Sequence, residues 1–268
     1  MDVRYVIGPA GSIDAQDRGL AYGDGLFETM SVCNGEIERL GLHLQRLYGG
    51  AARLSIPLPD LDELTLKITA SAAGTRRGVL KLILTRGCGP RGYAVPAVVV
   101  PTIVLSAGEL PVRADREISV ATLKTRLGEN PALAGIKHLG RLEQVLGRLE
   151  LTELGADEGL MLSSSGNVIS GTSRNLFAVF RGSLVTPALG RAGVAGVMRR
   201  AIVDHCPTLG IPVDEADIVP GDLLKADEIF MTNALVGIQS VTQLDSHHFV
   251  SQSVANRLRQ SLQLDRDD

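Results

Sequence analysis

Lys137 lies in an apolar stretch of the sequence, Ala134-Gly135-Ile136-Lys137-His138-Leu139, at the start of a predicted helix. A lysine at the start of a helix is most often a solvated surface residue. A lysine that is withdrawn from water instead presents a neutral amine, which can form a Schiff base with a carbonyl compound. The apolar neighbours therefore make Lys137 a candidate for covalent catalysis.

A glycine-bearing turn opens another predicted helix at Gly193–Arg199. The first backbone N–H groups of a helix have no partner within the helix, and the helix dipole places partial positive charge there. Together they favour an anion such as a phosphate group. An ordinary strand-to-helix turn has the same pattern, so the motif gains weight only in combination with others.

Arg46 is a candidate second contact for a phosphate. It lies on the polar face of a helix predicted at His43–Leu54, in which Leu44, Leu47 and Ala51 recur at helical spacing. Its guanidinium could add a charge-assisted hydrogen bond to an anion. A solvated arginine on a helix surface is the commoner case.

The segment Gly87–Gly92 matches the dinucleotide-binding pattern G-x-G-x-x-G and follows a predicted strand. The pattern requires a helix directly after the glycines, but Tyr93-Ala94-Val95-Pro96 does not open one. We therefore interpret the segment as a glycine-rich loop that presents Arg91 and Tyr93 to a ligand.

Composition narrows the class of protein. The 268 residues are 44% hydrophobic and 21% charged, which is typical of a globular enzyme. The net charge of −3, without a basic block, argues against nucleic acid and anionic membranes as partners. Neither histidines nor cysteines have metal-ligand spacing, so no metal is expected. Three scattered cysteines and no apolar leader predict a cytoplasmic protein with reduced thiols.

The pattern along the chain predicts two α+β domains, at residues 1–106 and 117–268, joined by a polar linker at 107–116. The asparagine-glycine pair at Asn34-Gly35 indicates a tight hairpin. Strands are predicted at Phe27–Cys33, Glu36–Arg39, Val79–Arg86, Val98–Ser106, Glu117–Lys124, Gly159–Ser163, Asn167–Ser170, Leu176–Phe180 and Glu228–Thr232. Helices are predicted at His43–Leu54, Asp60–Ala73, Lys137–Leu154 and Gly196–His205, the third with Leu139, Leu142, Leu146 and Leu149 in one apolar stripe.

Taken together, these segments resemble one family, the aminodeoxychorismate lyases. They belong to the D-amino-acid and branched-chain aminotransferase superfamily, the fold type IV enzymes of pyridoxal 5′-phosphate (PLP). The matching segments are Asp17–Thr29, His43–Leu47, Thr85–Tyr93, Asn130–Leu139, Arg141–Leu146, Ala156–Glu158, Asn175–Phe177, Gly193–Arg199 and Ala226–Leu235. The run Ile136–Leu139 followed by Arg141–Gln144 is similar to the lyase branch.

The resemblance implies a role for most of the candidate residues. Lys137 would carry PLP as a Schiff base. The phosphate would be held by Arg46, by the backbone of Val197 and Met198, and by Asn233 and Ala234. The resemblance also implies a homodimer that removes pyruvate from 4-amino-4-deoxychorismate to give 4-aminobenzoate for folate synthesis. Arg91 and Tyr93 are candidate ligands of a substrate carboxylate.

Two positions depart from the family pattern. Ser170 stands where the family usually has a glutamate that pairs with the pyridine nitrogen of PLP, and a hydroxyl offers only a neutral hydrogen bond. Gly140 stands where lyase members tend to have asparagine. Two alternatives remain open: an aminotransferase of branched-chain or D-amino acids, which Ser170 disfavours, and a PLP-binding carrier without catalysis.

Overall fold

The computed structural model describes residues 2–8, 11–110 and 117–264. The chain divides into two compact units. The first comprises Met1–Val112 and Ile136–Gly140, and the second comprises Arg113–Gly135 and Arg141–Asp268. No helix within the described ranges is long and apolar enough to cross a membrane.

The first unit is a five-stranded sheet covered by helices. Its strands are β1 (Arg4–Ile7), β2 (Gly25–Cys33), β3 (Glu36–Ile37), β4 (Arg77–Thr85) and β5 (Thr102–Gly108), and its helices are α1 (Arg18–Tyr22), α2 (Leu40–Leu54) and α3 (Leu61–Ala72). The order across the sheet is β1-β5-β4-β2-β3. Only β1 and β5 pair in parallel; the other neighbours are antiparallel.

Local sequence explains several of these elements. Asn34 and Gly35 both have positive φ, as the predicted tight hairpin between β2 and β3 requires. Asp60 caps α3 by accepting a hydrogen bond from the backbone N–H of Asp62. Leu44, Leu47 and Ala51 of α2 pack into the core of this unit, as their spacing predicts.

The second unit is built on a nine-stranded sheet. Its strands are β6 (Glu117–Leu127), β7 (Glu158–Ser163), β8 (Val168–Gly171), β9 (Asn175–Phe180), β10 (Ser183–Pro187), β11 (Val213–Ala216), β12 (Glu228–Asn233), β13 (Gly237–Leu244) and β14 (His247–His248). Its helices are α4 (Leu142–Leu154), α5 (Val197–His205), α6 (Pro220–Leu223) and α7 (Ser253–Ser261). The main order is β11-β10-β9-β12-β13-β6-β7-β8, and β14 pairs with β13.

The sequence predictions fail at two boundaries that matter for the site. The helix predicted from Lys137 begins only at Leu142, because residues 136–140 run alongside β2 instead. The strand predicted from Val98 begins at Thr102, directly after Pro101, which has no N–H to donate to a ladder.

The predicted domain boundaries, 1–106 and 117–268, remain predictions. Within the predicted linker 107–116, β5 continues to Gly108, and residues 111–116 lie outside the described ranges.

Candidate active site

Lys137 is held against β2 by its backbone. Its carbonyl accepts a hydrogen bond from the N–H of Phe27 at 3.0 Å, and the N–H of Leu139 donates to Gly25 at 3.0 Å. The side chain is half-buried, and its Nζ lies 4.1 Å from the centroid of the Phe27 ring. An amine covered on one side by an aromatic face is partly removed from water. Lys137 is therefore not the fully solvated surface lysine that its position before a helix allows.

Arg46 is not the solvated helix residue that its pattern allows. Its side chain is 13% exposed and forms a forked ion pair with Glu28, in which Nε donates to Oε1 at 2.8 Å and a second nitrogen donates to Oε2. Glu28 follows Phe27 on β2, and since the side chains of consecutive strand residues point to opposite faces, the contacts of β2 with Arg46 and with Lys137 lie on its two faces.

The glycine-rich loop is anchored by Arg18, a buried residue at the start of α1. Its guanidinium donates to the backbone carbonyls of Gly92, Tyr93 and Ala94 at 3.0 to 3.3 Å. Its charge is balanced by Asp24 at 2.9 Å. The side chains of Arg91 and Tyr93 are exposed, as a loop that presents them to a ligand requires.

The start of α5 has no side-chain cap. Gly196 caps the helix and has no side chain to bond the first N–H groups, those of Val197 and Met198. A Cβ at position 196 would lie 2.0 Å from the side-chain oxygen of Asn175, so any larger residue would displace that side chain. Asn175 also donates to the carbonyl of Val194 at 2.9 Å, which fixes the turn before the helix.

Ser170 lies on β8 and is 8% exposed. Its hydroxyl donates to the carbonyl of Gly171 at 2.8 Å, so the position carries no charge and the side chain is tied to its own strand. Gly140, the other departure from the family pattern, is exposed. A Cβ there would lie 3.3 Å from Nδ1 of His138, so a side chain at this position would crowd that ring.

Glu158 secures the segment that follows Ser170. This fully buried carboxylate accepts hydrogen bonds from the N–H groups of Gly159 and Thr172 at 2.9 Å, from the hydroxyl of Ser173 at 3.1 Å, and from Arg174. Burial raises the pKa of Glu158, but the Arg174 charge and these hydrogen bonds outweigh it and hold that pKa below its usual range.

Asn233 is the last residue of β12, and Ala234 begins the half-buried turn that follows it. The side-chain oxygen of Asn233 accepts from the N–H groups of Leu235 and Val236, and its amide donates to the carbonyl of Ser173 at 3.3 Å. The side chain of Asn233 thus shapes the turn and joins it to the segment after Ser170. Any contact of this residue with a phosphate is therefore expected from its backbone.

The predicted residues fall into two sets. The first unit holds Lys137, Arg46, Arg91 and Tyr93, and the second holds Ser170, Val197, Met198, Asn233 and Ala234. Sequence reasoning assigned no role to the buried partners Glu28, His43, Arg18, Asn175 and Glu158. The available signal was a charged residue inside an apolar strand, as at Glu28 in Gly25–Cys33 and at Glu158 in a strand that is buried throughout. No cluster of metal-ligating side chains occurs within the described ranges.

Comparison with known proteins identifies the family. Residues 25–244 match the family described as amino-transferase class IV. The crystal structure of 4-amino-4-deoxychorismate lyase from Pseudomonas aeruginosa is similar, with 43% identity, a TM-score of 0.92 and 97% of each chain covered. Aminodeoxychorismate lyase from Vibrio harveyi is 34% identical over 89% of each chain. D-alanine aminotransferase from Listeria monocytogenes is 30% identical over 87% of this chain and 83% of its own.

The chain belongs to the class IV aminotransferase family and is a PLP-dependent enzyme with the type IV fold. The residues present fit this cofactor. Lys137 would supply an amine for its aldehyde, and the start of α5, where Gly196 offers no capping side chain, would give the N–H groups of Val197 and Met198 to its phosphate. Ser170 fits a pyridine nitrogen that is not held protonated, because a hydroxyl brings no negative charge.

Proposed function

We propose that this enzyme eliminates pyruvate from 4-amino-4-deoxychorismate and so forms 4-aminobenzoate for folate synthesis. The similarity to the Pseudomonas aeruginosa lyase, which extends over 97% of both chains, carries the proposal. The neutral Ser170 supports it, because an aminotransferase gains from a carboxylate that keeps the pyridine ring protonated.

The residues divide the work. Lys137 would hold the cofactor covalently through its amine, and the same amine would remove the proton from C4 of the substrate. The phosphate would be held by Arg46, by the N–H groups of Val197 and Met198, and by the turn at Asn233 and Ala234. When bound, PLP supplies the electron sink for the charge that proton removal leaves behind.

The substrate itself provides much of the driving force. Loss of the enolpyruvyl group as pyruvate leaves an aromatic ring, so the elimination is strongly downhill and a shallow electron sink suffices. Arg91 and Tyr93 bind a substrate carboxylate in this scheme, through the guanidinium and the phenol hydroxyl. Their exposure on a loop whose carbonyls Arg18 holds supports that role.

The direct test is incubation of the PLP-loaded enzyme with 4-amino-4-deoxychorismate. We expect 4-aminobenzoate and pyruvate in equal amounts, followed by absorbance and by a coupled lactate dehydrogenase assay. Incubation with D-alanine or branched-chain amino acids and a 2-oxo acid acceptor is the comparison. Efficient amino transfer without 4-aminobenzoate would establish the aminotransferase alternative. If the enzyme shows neither activity, the cofactor carrier is the remaining alternative.

Ser170→Glu is expected to shift the enzyme towards amino transfer. A carboxylate at this position would favour a protonated pyridine ring, and the cofactor would then be a stronger electron acceptor, as amino transfer requires. The measurement is the amount of pyridoxamine phosphate formed per pyruvate released, in wild type and variant. A well-folded variant whose ratio stays the same or falls would show that Ser170 does not set this choice.

We also propose that the enzyme is a homodimer and acts in the cytoplasm. Four apolar side chains at helical spacing on α4 are each more than half exposed: Leu142, Val145, Leu146 and Leu149. A stripe of this kind favours an interface, here with a second copy of the chain. The three free cysteines, Cys33, Cys88 and Cys206, suit a reducing compartment.

Leu149→Glu is expected to weaken the dimer. In a two-fold symmetric interface both chains carry the substitution. The loss of one buried leucine per chain should therefore raise the dissociation constant of the dimer by at least about 100-fold. Analytical ultracentrifugation measures it. Leu66→Glu, at an exposed leucine of α3, is the matched control and should leave association unchanged. A wild-type monomer, or equal effects of both variants, would contradict the interface.

A further inference from the structure

We propose that Glu28 and His43 are positioning residues that set the guanidinium of Arg46 for the cofactor phosphate. The inference rests on the proposed role of Arg46 and assigns a function to two buried residues that the reaction itself does not use. Neither needs to touch the cofactor; both act through Arg46.

The three side chains form a chain of charge-assisted hydrogen bonds. Both oxygens of Glu28 accept from Arg46, and Oε2 also lies 2.6 Å from Nδ1 of His43. His43 and Arg46 are three residues apart on α2, on neighbouring positions of one helix face, whereas Glu28 comes from β2. The fork fixes the plane of the guanidinium, which a single hydrogen bond would leave free to rotate.

The network is removed from water. Glu28 and His43 are 2% and 1% exposed, whereas Arg46 is 13% exposed. Burial raises the pKa of Glu28, but the hydrogen bonds and charges of His43 and Arg46 outweigh it and hold that pKa below its usual range. Glu28 is therefore an anion at neutral pH. Its partner Arg46 is the member of the network that retains contact with the surface.

A role in stability alone is the competing interpretation, because a buried ion pair is weak evidence of a stabilising purpose. The two interpretations predict different affinities for a ligand that lacks the phosphate. If Glu28 acts through Arg46 on the phosphate, its loss weakens PLP and spares pyridoxal, which has the same aldehyde and ring. A general loosening of the unit weakens both ligands alike.

The experiment titrates the apoenzyme with PLP and with pyridoxal and follows binding by absorbance. The proteins compared are the wild type, Glu28→Gln, His43→Gln, Arg46→Ala and the Glu28→Gln/Arg46→Ala double variant. Circular dichroism verifies folding. Arg46→Ala should weaken PLP by on the order of 10- to 100-fold. Glu28→Gln should weaken it by about 5- to 30-fold, the range expected when an arginine side chain loses its fixed rotamer. His43→Gln should give a smaller loss in the same direction.

The control is Glu63→Gln, at an exposed carboxylate of the same unit that accepts a hydrogen bond from Tyr5, and it should leave both affinities unchanged. The inference holds if pyridoxal affinity is unaffected and Glu28→Gln adds nothing to Arg46→Ala. Equal losses for both ligands, additive losses, or unchanged PLP affinity in Glu28→Gln and His43→Gln would overturn it. If Glu28→Gln does not fold, His43→Gln decides. Formation of 4-aminobenzoate by the wild type is measured separately, so failure here leaves the proposed reaction to its own test.

Discussion

Lys137→Ala is expected to abolish covalent attachment of the cofactor and to lower turnover by at least about 10²–10⁴-fold, the usual contribution of a positioned acid–base group. The loss should exceed that of any other single substitution in the site, because in the proposed mechanism one amine is both the attachment point and the base. The structure supports the choice of this lysine: its Nζ lies 4.1 Å from the Phe27 ring, and its backbone is bonded to β2.

A second lysine near the Phe27 ring provides a matched control. Lys81 places its Nζ 5.7 Å from the centroid of Phe27 but is exposed on β4. Borohydride reduction of the wild type followed by peptide mapping should place the adduct on Lys137, and Lys81→Ala should leave labelling and turnover near wild type. An adduct on Lys81 or on any other lysine would refute the assignment.

The position of Lys137 shows where sequence reasoning succeeds and where it ends. The apolar neighbours made the residue a candidate, because residue type and local environment are visible in a short window. The start of the following helix was misplaced, because Leu139, Leu142, Leu146 and Leu149 continue one helical period. The helix starts only at Leu142 because residues 136–140 pair with β2, more than a hundred positions earlier in the chain, and no local pattern encodes that contact.

Arg46 illustrates the same limit for side chains. Its place on a polar helix face favoured a solvated residue over an anion ligand. The structure instead pairs Arg46 with Glu28. The alternation of side chains along β2 turns Glu28 towards α2, where the two side chains form the ion pair. By contrast, the hairpin at Asn34-Gly35 and the start of α5 after Gly196 were predictable, since both depend on the backbone freedom of neighbouring residues.

Glu158→Ala is expected to destabilise the second unit by about 3–5 kcal/mol, the usual cost of removing one partner from a buried ion pair. The carboxylate is fully buried, and its loss leaves Arg174, at 12% exposure, without its counter-charge. The N–H of Thr172 loses its acceptor as well. Urea unfolding followed by circular dichroism measures the change. Asp222→Ala, at an exposed pair with Lys225, is the control and should leave the midpoint nearly unchanged.

The effect of Glu158→Ala should also depend on pH, with a sign that the ion pair fixes. The pKa of Glu158 is lower in the folded chain than in the unfolded chain, where the pKa of a glutamate is about 4.3. Its stabilisation is therefore complete above the unfolded value and is lost as the pH falls towards the folded one. The difference between wild type and variant should be full at pH 7 and shrink below about pH 4. A difference that stays constant through this range would mean that Glu158 stabilises the turn after Ser170 by packing, and not as the anion that binds Arg174.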